Sequence, residues 1–106
     1  MFERISPEAA KNLLENEEAR IVDIRDPGSF QLSHIPEATL LDNSNIQELI
    51  SAADMSKPLI VYCYHGNSSQ PAAAYLHEQG FERCYSMDGG FEHWRVLYPE
   101  HTTNNQ

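Results

Sequence analysis

Basic residues are scarce in this sequence. Its 106 residues include 7 Lys and Arg against 16 Asp and Glu, which gives a formal net charge of -9 with His neutral. Binding to nucleic acid or to an anionic membrane surface depends on clustered positive charge, so this balance argues against both partners. The same negative charge repels small anions at long range, and a site for an anionic substrate must therefore supply its own positive potential.

Cysteines are few and long apolar runs are missing. Cys63 and Cys84 are the two cysteines, and no second close pair accompanies Cys63 and His65, so a structural zinc site is poorly supported. No segment approaches membrane-spanning length, and MFERISPEAAKNLL lacks the apolar core of a secretory signal. We therefore expect a cytoplasmic protein with two free thiols, in preference to a Cys63–Cys84 disulfide.

The length and composition fit one globular domain. Hydrophobic residues make up 41% and charged residues 22% of the chain, an ordinary balance that can build a core without disulfides or metal. We place a single domain at residues 1–101, with its motif-bearing core at about 15–101. The final HTTNNQ is polar and without periodicity, so residues 102–106 are predicted to form a flexible tail.

Strand and helix patterns alternate along the chain, which predicts a small α/β domain with a mostly parallel sheet flanked by helices on both faces. RDPGSF after the first strand candidate is typical of a turn. The strand candidates are RIVDI (20–24), ATLL (38–41), LIVY (59–62) and ERCYSM (82–87). The predicted helices begin at the caps Ser6-Pro7, Asp42-Asn43-Ser44, and Ser68 or Ser69, and a last short helix follows the turn at Gly89-Gly90.

The segment CYHGNSS, residues 63–69, follows the most apolar strand candidate and precedes a helix. In parallel α/β sheets ligands bind beyond the carboxyl ends of the strands, where Cys63 is expected to lie. Gly66 allows a loop that curls around its own cysteine with N–H groups pointing inward. These groups and the helix dipole would lower the pKa of the thiol and bind an anion. An ordinary loop with a buried packing cysteine is the alternative.

Three segments together resemble the rhodanese family. CYHGNSS is similar to its active-site loop, in particular to that of the single-domain thiosulfate sulfurtransferases of the GlpE type. DIRDPGSFQLSHIPEA (23–38) is similar to the family's first signature, in which Asp-x-Arg leads to a Phe and then to His-Ile-Pro. MDGGFEHW (87–94) is similar to its C-terminal signature, Gly-Gly-Phe-x-x-Trp. The three segments occur in the same order as in the family and together span residues 23–94, most of the chain.

The resemblance implies persulfide chemistry without a metal or an organic cofactor. Cys63 matches a nucleophile that takes the outer sulfur of thiosulfate, releases sulfite and holds the sulfur as a persulfide. The persulfide passes its sulfur to cyanide or to a thiol acceptor, such as a small dithiol or a thioredoxin-like protein. The loop positions whose backbone matches the substrate-binding groups are Tyr64, His65, Gly66, Asn67, Ser68 and Ser69.

Several side chains allow more than one interpretation. Asp23 and Arg25 are spaced to lie on one face of a strand end, and we favour a structural ion pair over a catalytic pair. His34 is interpreted as a loop organiser rather than an acid–base group. His65 either tunes the thiolate and contacts substrate or lies at an exposed loop tip. Cys84, within a strand candidate, is interpreted as a buried, inert thiol.

The loop sequence bears on other activities of this architecture. Many thiosulfate-using members of the family carry Arg or Lys in the loop and this one has neither, so weak affinity for thiosulfate is expected. Dual-specificity phosphatases need an Arg six residues after the cysteine, where this chain has Ser69, so phosphatase activity is not expected. Arsenate reduction and a non-catalytic or redox-sensing binding module are the remaining alternatives. Such modules characteristically lose the cysteine, so Cys63 favours an enzyme.

Overall fold

The computed structural model describes residues 1–104. Five strands form one sheet in the order β1-β5-β4-β2-β3, and every pair of neighbouring strands is parallel. The predicted α/β fold with a parallel sheet is therefore confirmed. The strands are β1 (Glu3–Ile5), β2 (Arg20–Asp23), β3 (Thr39–Leu40), β4 (Leu59–Tyr62) and β5 (Cys84–Met87).

Helices cover both faces of the sheet. Residues of the central strand β4 alternate between the faces, so that Ile60 and Tyr62 pack into one core and Leu59 and Val61 into the other. Helices α1 and α5 close the first core, while α3 and α4 close the second. The helices are α1 (Pro7–Asn16), α2 (Pro27–Leu32), α3 (Ile46–Ala52), α4 (Ser69–Glu78) and α5 (Gly90–Leu97), and a 3-10 turn spans Pro99–His101.

The prediction of a turn at RDPGSF is wrong, because most of this segment belongs to α2. The Asp26 carboxylate accepts a hydrogen bond of 3.0 Å from the amide of Ser29, and Pro27 occupies the first helical position. This is the same combination of cap and proline that starts α1, where Ser6 Oγ accepts from the amide of Ala9 at 3.1 Å. Strand β1 was not predicted at all.

The predicted side-chain caps of α3 and α4 are not formed. Helix α3 begins after a turn in which the Asp42 carbonyl oxygen accepts from the amide of Ile46 at 3.0 Å. Ser68 stands before α4 but makes no capping hydrogen bond, and the amide of Ser69 is left for another acceptor. That acceptor is the sulfur of Cys63.

The beginning of the predicted flexible tail is held to the domain. Thr103 and His34 form an isolated antiparallel bridge in which each amide donates to the other's carbonyl oxygen at 2.9 Å. The composition of the tail does not reveal a bridge that is formed by a single one of its residues. Residues 105 and 106 of the predicted tail lie outside the described residues. Within the described part of the chain, none of the helices is long and apolar enough to cross a lipid bilayer.

Candidate active site

Cys63 lies at the carboxyl edge of the sheet, directly after the central strand β4. The seven residues Cys63 to Ser69 lead from this strand into α4 and are called the 63–69 loop below. Cys63 is buried, with 5% of its surface exposed. The structure thus places Cys63 at the carboxyl end of a parallel strand, as predicted, and ligands of parallel α/β sheets bind beyond such ends.

Three groups of the 63–69 loop lie within hydrogen-bond distance of the sulfur of Cys63. The amides of Gly66 and Ser69 donate to Sγ at 3.2 and 3.3 Å, and Ser69 Oγ lies 3.4 Å from Sγ. Burial acts to raise the pKa of the Cys63 thiol, but the donors from Ser69, Gly66 and the His65 backbone outweigh it. The pKa of Cys63 therefore lies below that of an ordinary thiol, as an inward-facing set of amides at a helix start requires.

The curl of the loop depends on Gly66. Its φ is +90°, and a Cβ at this position would lie 2.9 Å from the amide nitrogen of Gly89 and 3.2 Å from the carbonyl oxygen of Met87. Any other residue would be strained by the backbone angle and would push against the start of α5. Gly66 therefore lets its amide reach Sγ while the loop stays packed on the β5–α5 connection.

The exposed side chains of the loop form the mouth of the site. Tyr64, His65, Asn67 and Ser68 line a cavity of about 120 Å³ together with Cys63. His65 thus lies at an exposed position beside the cysteine, which leaves both interpretations of this residue open. A larger cavity of about 240 Å³ beside α1 and Trp94 has neither cysteine in its lining, so cavity size alone does not identify the site.

Tyr64 ties the 63–69 loop to α2. Its hydroxyl lies 2.6 Å from Ser29 Oγ and also donates to the Asp26 carboxylate. Hydrogen bonds from the Tyr64 hydroxyl and from Ser29 hold the pKa of Asp26 well below its usual range. Asp26 and Ser29 were missed as site residues because the segment that contains them was interpreted as a turn.

Asp23 and Arg25 form a buried ion pair beneath the loop. Arg25 Nη2 lies 2.7 Å from Asp23 Oδ2 and donates to the Ser33 carbonyl oxygen at 2.7 Å. The guanidinium carbon is 4.3 Å from the ring centroid of Phe91 and 5.5 Å from that of Tyr64. The pair thus joins the end of β2 to α2, to α5 and to the loop, a geometry that fits a structural role.

His34 is buried against α2. Its ring stacks on Phe30 with centroids 3.8 Å apart, and Nδ1 donates to the Phe30 carbonyl oxygen at 2.6 Å. Its backbone forms the bridge to Thr103. These contacts fit the loop-organising interpretation of His34, and none of them involves Cys63.

Cys84 is separated from Cys63 by most of a strand. It lies buried at the start of β5, where it pairs with Leu59, four residues before Cys63. At ~3.3 Å per residue, Cys63 is roughly 13 Å farther along the strand, well beyond the ~7 Å that a disulfide spans. Burial raises the pKa of the Cys84 thiol to about 11, and this thiol donates to the Ala73 carbonyl oxygen. Among residues 1–104, no group of three or more His, Cys, Asp or Glu is arranged to hold a metal ion.

Known proteins resemble this chain over nearly its whole length. Residues 6–96 match the model of the rhodanese-like domain. The chain is 53% identical over 105 residues to the thiosulfate sulfurtransferase GlpE of Pseudomonas aeruginosa (strain LESB58), a match that covers 99% of this chain and 94% of that protein. It is 56% identical over 101 residues to the protein of the same name from Pseudomonas syringae pv. syringae (strain B728a), covering 95% and 94% of the two chains.

Solved structures share the fold at lower identity. The solution NMR structure of a rhodanese-like domain from Anabaena sp. has a TM-score of 0.84 at 22% identity, covering 99% of this chain and 81% of that one. The crystal structure of a rhodanese-related protein from Thermoplasma volcanium has a TM-score of 0.75 at 21% identity, covering 91% and 93%. Both show that the arrangement of strands and helices is shared.

Proposed function

The chain belongs to the rhodanese family, and we propose that it is a thiosulfate sulfurtransferase that carries sulfur as a persulfide on Cys63. The observation that carries the proposal is the buried Cys63 sulfur facing the amides of Gly66 and Ser69 at 3.2 and 3.3 Å. These donors favour the thiolate, which is the nucleophilic form. Relatives named thiosulfate sulfurtransferase that match nearly the whole chain support thiosulfate as the donor.

In the first half-reaction the Cys63 thiolate attacks the outer sulfur of thiosulfate. A sulfur–sulfur bond forms to Cys63 while the sulfur–sulfur bond of thiosulfate breaks, and its electron pair leaves with sulfite. A thiolate and a dianion become a persulfide anion and a sulfite dianion, so the step needs no external proton or electron. The amides that face Sγ remain in place to stabilise the negative charge of the persulfide.

In the second half-reaction an acceptor attacks the outer sulfur of the persulfide. Cyanide takes this sulfur and leaves as thiocyanate, while the electrons of the broken bond return to Cys63 as a thiolate. A thiolate acceptor takes the sulfur in the same way and becomes a persulfide itself. We assign the physiological acceptor to the thiol class, as a small dithiol or a thioredoxin-like protein. We assign the protein to the cytoplasm, where such thiols stay reduced.

The proposed thiosulfate site has no cationic side chain of its own. The loop contains no Lys or Arg, and the nearby guanidinium of Arg25 is engaged by Asp23. Backbone amides and the start of α4 therefore hold the thiosulfate dianion against the net charge of -9, and we expect weak binding.

Two alternatives fit the loop less well. Phosphate transfer needs a guanidinium six residues after the cysteine, and here the buried hydroxyl of Ser69 fills that place. Redox sensing through an internal disulfide needs a second thiol near Cys63, and Cys84 is too far along the sheet. In the same proposal, Asp23, Arg25 and His34 hold the surrounding segments of one domain spanning residues 1–101.

Thiocyanate formation from thiosulfate and cyanide tests the proposal. Initial rates at several concentrations of both substrates should give the parallel double-reciprocal lines of ping-pong kinetics. Cys63→Ser should abolish turnover, whereas Cys84→Ala, the matched control at the other cysteine, should retain most of it. A folded Cys84→Ala protein as inactive as Cys63→Ser would contradict the mechanism. Absence of turnover with thiosulfate, 3-mercaptopyruvate and polysulfide would favour the binding-module class.

A further inference from the structure

A pair of buried serine hydroxyls touches the nucleophile. Ser69 Oγ lies 3.4 Å from Cys63 Sγ and 2.8 Å from Ser86 Oγ. Both serines have no exposed surface. Ser86 belongs to β5, where it pairs with Val61 of β4, and it lies one residue before MDGGFEHW, outside the segments that resemble the family motifs.

The hydroxyl protons of Ser69 and Ser86 decide in which direction the hydrogen bonds of this pair run. Among residues 1–104, the only hydrogen bond of Ser86 Oγ is the one with Ser69 Oγ. Beside a thiolate, Ser86 donates to Ser69 and Ser69 donates to Sγ, so each hydroxyl proton has an acceptor. Beside a thiol, the S–H donates to Ser69 and Ser69 turns to Ser86, which leaves the buried Ser86 proton without an acceptor. Leaving a buried donor unpaired is costly, so the pair is best satisfied by a thiolate.

We propose that Ser86 is a positioning residue that acts through Ser69 to direct a hydroxyl proton at the sulfur of Cys63. The proposal deepens the proposed function, on which it rests. In the second half-reaction Cys63 is the leaving group, and a thiol of lower pKa leaves more readily as a thiolate. The pair thus assists the step in which the persulfide gives up its sulfur.

A pair of hydroxyls suits this cycle because its hydrogen bond to Sγ varies with the charge on that sulfur. When the persulfide forms, negative charge moves from Sγ to the outer sulfur, and the hydrogen bond from Ser69 weakens. When the thiolate returns, this hydrogen bond strengthens again. A guanidinium at position 69 has donors but no acceptor and would hold a fixed positive charge in both states.

Among the described residues, Sγ accepts hydrogen bonds from the amides of Gly66 and Ser69 and shares a third with Ser69 Oγ. The charged and titratable groups around the loop are unchanged in the variants below. They are Asp23, Arg25 and Asp26 from the β2–α2 segment, Tyr64 and His65 from the loop, and Asp88, Glu92 and His93 from the β5–α5 segment.

The test is a double-mutant cycle on the pH midpoint of Cys63 alkylation by iodoacetamide, with the modified residue mapped by peptide mass. Ser69→Ala should raise the midpoint by about 1 unit, since a hydrogen bond to a charged group is lost. Ser86→Ala should raise it by about 0.3 unit, because the remaining hydroxyl is less polarised and less fixed. The double variant should match Ser69→Ala alone.

Equal effects of Ser86→Ala in both backgrounds, or no shift at all, would overturn the proposal. If Ser86→Ala fails to fold, Ser86→Cys replaces it, since a thiol of similar size is a weaker donor and should shift the midpoint in the same direction. A change in thermal stability without a shift of the midpoint would indicate a merely structural role and would likewise overturn it. Alkylation needs no thiosulfate, so this outcome is independent of whether the protein transfers sulfur.

Discussion

The amide of Phe91 donates a hydrogen bond of 2.8 Å to the carbonyl oxygen of Cys63, so helix α5 begins directly against the backbone of the nucleophile. This approach is possible because the preceding residue is Gly90. A Cβ on Gly90 would lie 2.5 Å from the carbonyl oxygens of both Cys63 and Tyr64. The Gly-Gly pair of MDGGFEHW therefore does more than make a turn, since it lets the 63–69 loop rest on α5.

Gly90→Ala should destabilise the fold by roughly 2–4 kcal/mol, because the residue has a φ of +60° and the new methyl group meets backbone atoms that cannot rotate away. Urea unfolding measures the loss. Gly28→Ala is the control, since this helical glycine has no positive φ and its Cβ would lie 3.3 Å from Asp26 Oδ2, a side-chain atom that can shift, so alanine there should change stability by no more than about 1 kcal/mol. Equal unfolding midpoints for Gly90→Ala and the wild type would contradict the close packing.

Asp23→Asn should cost about 3 kcal/mol of unfolding free energy, because it leaves the Arg25 guanidinium buried without its counter-charge. The same urea experiment measures it. Glu15→Gln serves as the control, since it removes an exposed partner of Lys11 and should change the unfolding midpoint little. An Asp23→Asn protein as stable as the wild type would mean that the buried pair is not what holds these segments.

Iodoacetamide alkylation of Cys63 should have a pH midpoint below the ~8.5 of a free cysteine, because amide and hydroxyl donors outweigh burial at Sγ. Sulfate or sulfite should slow the reaction by occupying the loop. Cys84, whose pKa is raised to about 11, should resist alkylation in the folded protein. A midpoint at or above the free-thiol value, together with indifference to both anions, would show that the loop does not bind anions.

The lowered pKa of Cys63 also predicts how stability changes with pH. A group whose pKa is lower in the folded state adds stability above its unfolded pKa, about 8.5, and this contribution is lost as pH falls through the folded value. The unfolding free energy of the wild type minus that of Cys63→Ser should therefore increase between about pH 7 and pH 9.5. Chemical denaturation across this range measures it, and a constant difference would argue against a stabilised thiolate.

The central strand and the loop after it were predictable because each carries a strong local pattern. LIVY is wholly apolar and is buried on both faces, as a central parallel strand must be. Helix α2 was not predicted although Asp26-Pro27 repeats the cap and proline of Ser6-Pro7, since Pro and Gly close together also favour a turn. Strand β1 has the exposed residues Glu3 and Arg4 and exists through its pairing with β5, which no local pattern reveals.

The long-range contacts of the site are the part that could not be predicted from the sequence. Cys63 and the amides of its loop are close in sequence, so a motif is enough to bring them together. Ser86 reaches Ser69 because β5 pairs with β4 in one particular register, and a serine within a strand has no pattern that distinguishes it. The ties from Tyr64 to Asp26 and Ser29 likewise depend on how α2 packs beside the loop.

Intact mass after incubation with thiosulfate tests the central claim most directly. The protein should gain the mass of one sulfur atom, the gain should map to Cys63, and cyanide should remove it with formation of an equal amount of thiocyanate. Cys84→Ala should behave in the same way, and Cys63→Ser should gain nothing. An unchanged mass with thiosulfate, 3-mercaptopyruvate and polysulfide, or a sulfur that maps to Cys84, would contradict sulfur transfer through Cys63.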